Sequence, residues 1–108
     1  MKKRFRITDS DEFLQVIKYK RFYNCPTLTL YVKPRKADVC RVGLSVGKKI
    51  GKAHVRNKVK RQLRGMLQEC FDFDGNFDAI ILVRPKFIEE NYLSNKNYLE
   101  SLLKKVKI

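Results

Sequence analysis

Between residues 55 and 70 apolar side chains recur at helical spacing, and cations fill many of the positions between them. At 100° per residue, Val55, Val59, Leu63, Met66, Leu67 and Cys70 fall on one side of a helix. Arg56, Lys60 and Arg64 form the adjoining row, and Asn57 and Arg61 the next. A helix divided in this way is stable when its stripe lies against an apolar layer and its cations face water or an anion. The rest of the chain must therefore supply that layer, and strands with an apolar face are the candidates.

The charge on this helix is the second constraint. Of the seventeen residues 48–64, eight are basic, and the next acid along the helix is Glu69. Solvated helix faces usually mix in acids, because each i,i+4 ion pair contributes roughly 0.3 kcal/mol. Here like charges stack one turn apart, and cations crowd the helix N-terminus, where the macrodipole disfavours them. The whole chain carries a formal net charge of +14. Binding a polyanion would neutralise that repulsion and release condensed counterions. Nucleic acid fits best. An anionic membrane surface would need the apolar stripe exposed, whereas the core needs it buried. Upstream, Gly47 and Gly51 bracket Lys48 and Lys49, either for close phosphate approach or simply as turn residues. The pattern of a nucleotide-binding P-loop is not met.

The remaining pattern is that of a single α+β domain spanning 1–108. The first six residues read as a basic arm. Thr8-Asp9-Ser10-Asp11-Glu12 starts a helix over 9–18, with Phe13, Val16 and Ile17 at helical spacing. Residues 19–26 read as a connection. Alternation over 27–32 predicts a strand, 34–38 a turn, and 39–46 a second strand pairing antiparallel with the first. On that second strand Cys40, Val42, Leu44 and Val46 form the core face. A basic loop, 47–54, leads to the helix, 55–71. After a turn at 72–76, the apolar run 77–83 predicts a central strand buried on both faces. Ser94 reads as the cap of a last helix, 95–106, with Tyr98, Leu99, Leu102, Leu103 and Val106 as its stripe. The predicted order is αββαβα.

Several function classes lack the residues they need. No apolar run approaches the ~20 residues of a membrane span, and no apolar region follows the basic start as in a secretory signal, so a cytoplasmic protein is expected. Cys25, Cys40 and Cys70 are odd in number and widely spaced, as expected of reduced thiols. His54 is the only histidine and has no cysteine or carboxylate companion in the pattern. Asp72 and Asp74 fit a turn better than a metal site. No nucleophile–base pair or carboxylate pair is recognisable, so neither a catalytic residue nor a metal ligand is assigned. Phe13, Phe22, Tyr23 and Tyr31 are open to two readings, core residues or platforms for unpaired bases.

The run Arg41-Val-Gly-Leu-Ser-Val-Gly-Lys-Lys-Ile-Gly-Lys-Ala-His-Val-Arg56-Asn57-Lys58-Val-Lys60-Arg61-Gln-Leu-Arg64 closely resembles the signature of the bacterial ribonuclease P protein subunit. The likeness extends to the Lys2-Lys3-Arg4 start, the Phe13-x-x-Val16 helix and the Tyr31 strand, and so covers essentially the whole chain. The resemblance implies a fold like the second domain of ribosomal protein S5, with a left-handed βαβ crossover where the general rule would give a right-handed one. It also implies a role in removing the 5′ leader of precursor tRNA. In that role a catalytic RNA does the chemistry with Mg²⁺, and the protein holds no cofactor and needs no protein partner. The RNA-binding residues it implies are Lys48, Lys49, Lys52, Arg56, Asn57, Lys58, Lys60, Arg61 and Arg64. The implied cleft for the single-stranded leader comprises Phe13, Ile17 and Tyr31. Two positions depart from the family pattern: Lys58 stands where arginine is common, and Ile17 where an aromatic is common. The rival reading from charge and size alone is a ribosomal or other structural RNA-binding protein without a processing role.

Overall fold

The computed structural model describes residues 3–106. The first two residues of the predicted basic arm lie outside the described residues. The rest of that arm is tied to the fold: Lys3–Phe5 form a 3₁₀ turn, Arg6 bridges in parallel to Val42, and the Ile7 N–H donates to the Val42 carbonyl at 3.0 Å.

Helix α1 spans Ser10–Lys18. Asp9 caps it by accepting from the Asp11 N–H at 2.8 Å, and Asp11 and Glu12 meet the positive end of the helix dipole. The chain reverses through Lys20, which holds the left-handed conformation at φ 63°. It then enters a strand that the sequence pattern does not announce, β1 (Arg21–Asn24), within residues 19–26, which read as a connection. β1 is a short and largely exposed edge strand, so it lacks the alternation that marks a half-buried strand. Its place is set by antiparallel pairing with β2 (Leu28–Pro34), in the register Phe22 opposite Tyr31.

Strand β3 (Val42–Ser45) also departs from expectation. It does not pair with β2. It runs parallel to β4 (Phe77–Val83), and β4 runs antiparallel to β2, giving the sheet order β1-β2-β4-β3. The physical reason lies in β4, whose unbroken apolar run 79–83 suits the two-sided burial of a central position. β3, with Arg41 just before it and Gly43 within it, takes the edge. The element order is thus αβββαβα.

The β3–β4 crossover is α2 (Ala53–Cys70), which starts two residues before the predicted position. A 3₁₀ turn, Lys48–Ile50, precedes it, with Ile50 buried as its anchor. After β4, a second 3₁₀ segment, Pro85–Glu89, leads to α3 (Tyr92–Lys105). The cap of α3 is Asn91, whose side chain accepts from the Ser94 N–H at 2.8 Å, so Ser94 lies inside the helix rather than at its start. Either residue type can cap a helix, and the local pattern does not choose between them.

The main core lies on one face of the sheet. There Leu28, Leu30, Val32, Val42, Ala79, Ile81 and Val83 meet Val59, Leu63, Met66 and Leu67 of α2 and Leu99 and Leu102 of α3. Cys40, Leu44 and Val46 join them, as expected of that face. The opposite face carries a smaller cluster: Ile7, Val16 and Ile80, with Phe13 and Tyr31 partly buried against it.

Candidate nucleic-acid interface

Phe13 reaches its place because Gly43 has no side chain. A Cβ at residue 43 would stand 2.6 Å from Phe13 Cζ and 2.7 Å from Ile80 Cδ1. The ring therefore lies directly on the backbone of β3, the close approach that a glycine inside a strand permits. Beside it, α1 is tied to the sheet through Arg41, which pairs with Glu12 and, at 3.3 Å, with the buried carboxylate of Asp78. Asp78 also accepts the Arg41 backbone N–H at 3.1 Å. The Arg41 hydrogen bond holds the Glu12 carboxyl below the usual carboxylate range, against a smaller opposing effect of burial. Sequence reasoning gave neither Gly43 nor Arg41 a role in the site. The only local signal was a glycine and an arginine on the strand face opposite the core.

Arg6–Thr8, Phe13, Val42–Leu44, Lys60 and Arg64 line a cleft of about 240 Å³ between α1 and α2. Arg6, Lys60 and Arg64 make no ion pair with any described residue. The Nε atoms of Arg6 and Arg64, and of Arg56 one turn before Lys60, are buried without a hydrogen-bond partner among the described residues. These groups could be satisfied by an incoming anion.

The cations of α2 divide into three rows. Arg56, Lys60 and Arg64 are half-buried on the cleft flank, as the helical spacing predicts. Asn57 and Arg61 are exposed along the crest. Lys58 lies on the far flank, where it lines a second groove with His54 and Gln62. The Arg56-Asn57-Lys58 triplet therefore points three ways, and a single flat ligand would not meet all of it. Lys48, Lys49 and Lys52 are exposed around the start of α2. Of the two glycines there, Gly51 at φ 151° needs the freedom of glycine, whereas Gly47 has an ordinary conformation and open space around it.

The expected aromatic cleft is only partly gathered in one place. Phe13 lines the cleft with Lys60 and Arg64. Tyr31 packs on the same small apolar cluster but pairs with Phe22, their ring centroids 5.7 Å apart. Phe22 is 51% exposed. Ile17 is half-buried one helical turn beyond Phe13. Thr27 and Thr29, which alternate with Tyr31 along the chain, are buried, and Thr29 donates to the Asn24 side chain at 2.7 Å. Among the described residues no three carboxylate, thiol or imidazole groups gather where they could hold a metal ion. The cysteines are free thiols, and burial pushes Cys40 up to about 12 and Cys70 to about 11.

The family model for ribonuclease P matches residues 1–107. The chain belongs to the ribonuclease P protein family. It is 38% identical over 109 residues to the ribonuclease P protein component of Mycoplasma capricolum, a match covering 99% of this chain and 100% of that one. With the component from Halalkalibacterium halodurans it shares 40% identity over 110 residues, covering 100% and 92% of the two chains. A Staphylococcus aureus ribonuclease P protein mutant with defective mRNA degradation activity superposes with a TM-score of 0.86 at 30% identity, covering 94% of this chain and 87% of that one. The ribonuclease P protein of Thermotoga maritima shares the fold, with a TM-score of 0.82 at 23% identity and coverage of 95% and 98%. Membership in the ribonuclease P family carries a role in tRNA processing in company with RNA. Among the described residues no helix is long and apolar enough to cross a membrane.

Proposed function

We propose that this protein binds the catalytic RNA of ribonuclease P and the single-stranded 5′ leader of precursor tRNA, and so assists Mg²⁺-dependent removal of that leader. The observation that carries this reading is the cleft in which the Phe13 ring, laid on Gly43, faces Lys60 and Arg64 with no acid to neutralise them. An apolar floor beside unpaired cations suits a strand whose bases are splayed and whose phosphates are charged. The leader would run from this cleft past Ile17 to the Tyr31–Phe22 pair. The exposed cations, Lys48, Lys49, Lys52, Lys58 and Arg61, with Asn57, are left for the catalytic RNA, and Arg56 stands between the two surfaces. We assign the Mg²⁺ and the hydrolytic chemistry to the RNA, and place the complex in the cytoplasm.

The test is cleavage of precursor tRNA by the matching catalytic RNA at low Mg²⁺, with and without this protein. The protein should accelerate cleavage of a substrate with a leader and tighten its binding as the leader lengthens. Equal effects on leader-bearing and leaderless tRNA would defeat the cleft assignment. Cleavage by rigorously RNA-free protein would defeat the division of chemistry.

A further inference from the structure

The far flank of α2 forms a second groove that the leader cleft does not use. His54, Lys58 and Gln62, one turn apart in succession, make one wall, and Ile88 and Glu90 make the other, enclosing about 360 Å³. The second wall is preformed. Pro85 opens its 3₁₀ segment, Phe87 is fully buried beneath it, and the buried Asn95 side chain donates to the Phe87 carbonyl at 3.0 Å. With Phe87 anchored inward, Ile88 is left 51% exposed over the groove.

The charges of the two walls are opposite, yet they do not meet. Neither Lys58 nor Glu90 forms an ion pair with any described residue. A ligand that fits this groove needs an anion on the α2 side, a flat apolar body over Ile88, and a hydrogen-bond donor towards Glu90. An unpaired adenine, guanine or cytosine nucleotide has all three in that order: phosphate, base face, and exocyclic amine. The cationic wall also continues onto the exposed crest of Asn57 and Arg61, which favours an RNA strand over a neutral or basic peptide.

We infer that the groove between α2 and the Pro85–Glu89 segment captures one unpaired RNA nucleotide, with a preference for an amine-bearing base. Lys58 meets the phosphate and Glu90 accepts from the amine. Uracil is disfavoured, because its single N3–H is flanked by two carbonyl oxygens that would face the carboxylate. The inference rests on the reading that this chain binds RNA, and it concerns a different flank of the helix from the leader cleft.

Cytidine and uridine 5′-monophosphate differ at the base edge alone, so they are suitable probes, titrated separately into the full chain while backbone amide shifts are followed by NMR. Cytidine monophosphate should shift the amides of residues 87–90 and 58 at concentrations roughly fivefold lower than the uridine nucleotide. Glu90→Gln, which can donate as well as accept, should abolish that difference, and Lys58→Ala should weaken both nucleotides at this groove. Shifts confined to Phe13 and Gly43 would overturn the groove while leaving the leader cleft standing. Equal responses to the two nucleotides, or a cytidine preference that survives Glu90→Gln, would overturn the base preference assigned to Glu90. If neither nucleotide moved any amide and the protein also failed to bind precursor tRNA, the RNA-binding reading would fall, and the groove with it.

Discussion

Along β2 and β4, alternate side chains meet two different surroundings. Leu28, Leu30, Val32, Ala79, Ile81 and Val83 are sealed beneath α2 and α3. Tyr31 and Ile80, on the other face, meet the single short helix α1 and the segment leading into it, and around them stand a half-exposed Phe22 and a cleft with unpaired cations. The same backbone hydrogen bonds serve both faces, so the difference lies in the covering layer. Two helices make one face a folding core, and one helix leaves the other partly open. Stability and binding can therefore be altered separately, one residue apart on the same strand.

That separation can be broken by paired substitutions. Leu30→Ala should cost about 2–5 kcal/mol of stability by chemical denaturation, and Tyr31→Ala, its neighbour on the open face, less than half as much. Equal losses would mean that the second face is also a folding core. Gly43→Ala should be the most damaging change on the open face. The new methyl group must displace Phe13 or Ile80, at about 1–3 kcal/mol, and leader-dependent tRNA affinity should fall with stability. A variant of unchanged stability and unchanged leader affinity would show that Phe13 has room to move.

Tyr31→Ala should weaken precursor tRNA by about 1–3 kcal/mol, the worth of stacking on one base. Binding of leaderless tRNA and of the catalytic RNA should stay close to the parent values. If leaderless tRNA lost as much, Tyr31 would be a packing residue alone. Arg56→Ala, Lys60→Ala and Arg64→Ala should each lower the log–log salt slope of RNA affinity by roughly 1, the mark of one lost phosphate contact. Three parental slopes would remove this flank from the interface.

The smallest effect concerns the tie between α1 and β3. Arg41 lowers the folded-state pKa of Glu12. Its stabilisation is therefore present in full above the ordinary carboxylate pKa and fades as pH falls through the lowered value. The stability gap between the parent and Glu12→Gln, measured by thermal melts across that acid range, should shrink towards zero at its lower end. A gap independent of pH would show that the pair does not act through charge.

Features that depend on near neighbours were legible in the sequence. The oxygen-bearing run 8–12 marks a helix start, the apolar stripe of α2 repeats every turn, and the run 79–83 announces a strand buried on both faces. The row of Arg56, Lys60 and Arg64 follows from the same arithmetic, and so does the core face of β3. The start of α3 was misplaced because Asn91 and Ser94 are both competent caps. β1 was missed because an exposed edge strand needs no alternation and takes its register from a partner.

The sequence by itself determined which side of each element is apolar, where the cations accumulate, and that the charge calls for a polyanion, since these properties repeat at fixed intervals along the chain. Only the tertiary structure decided that β3 lies parallel to β4, that Arg41 joins Glu12 to Asp78, that Phe13 rests on Gly43 opposite Lys60 and Arg64, and that Lys58 turns away towards Glu90. Period is a local property, set by the geometry of a helix or strand. Partnership between residues far apart in the chain depends on how whole elements share the burial of their apolar faces, and no short stretch of sequence carries that choice.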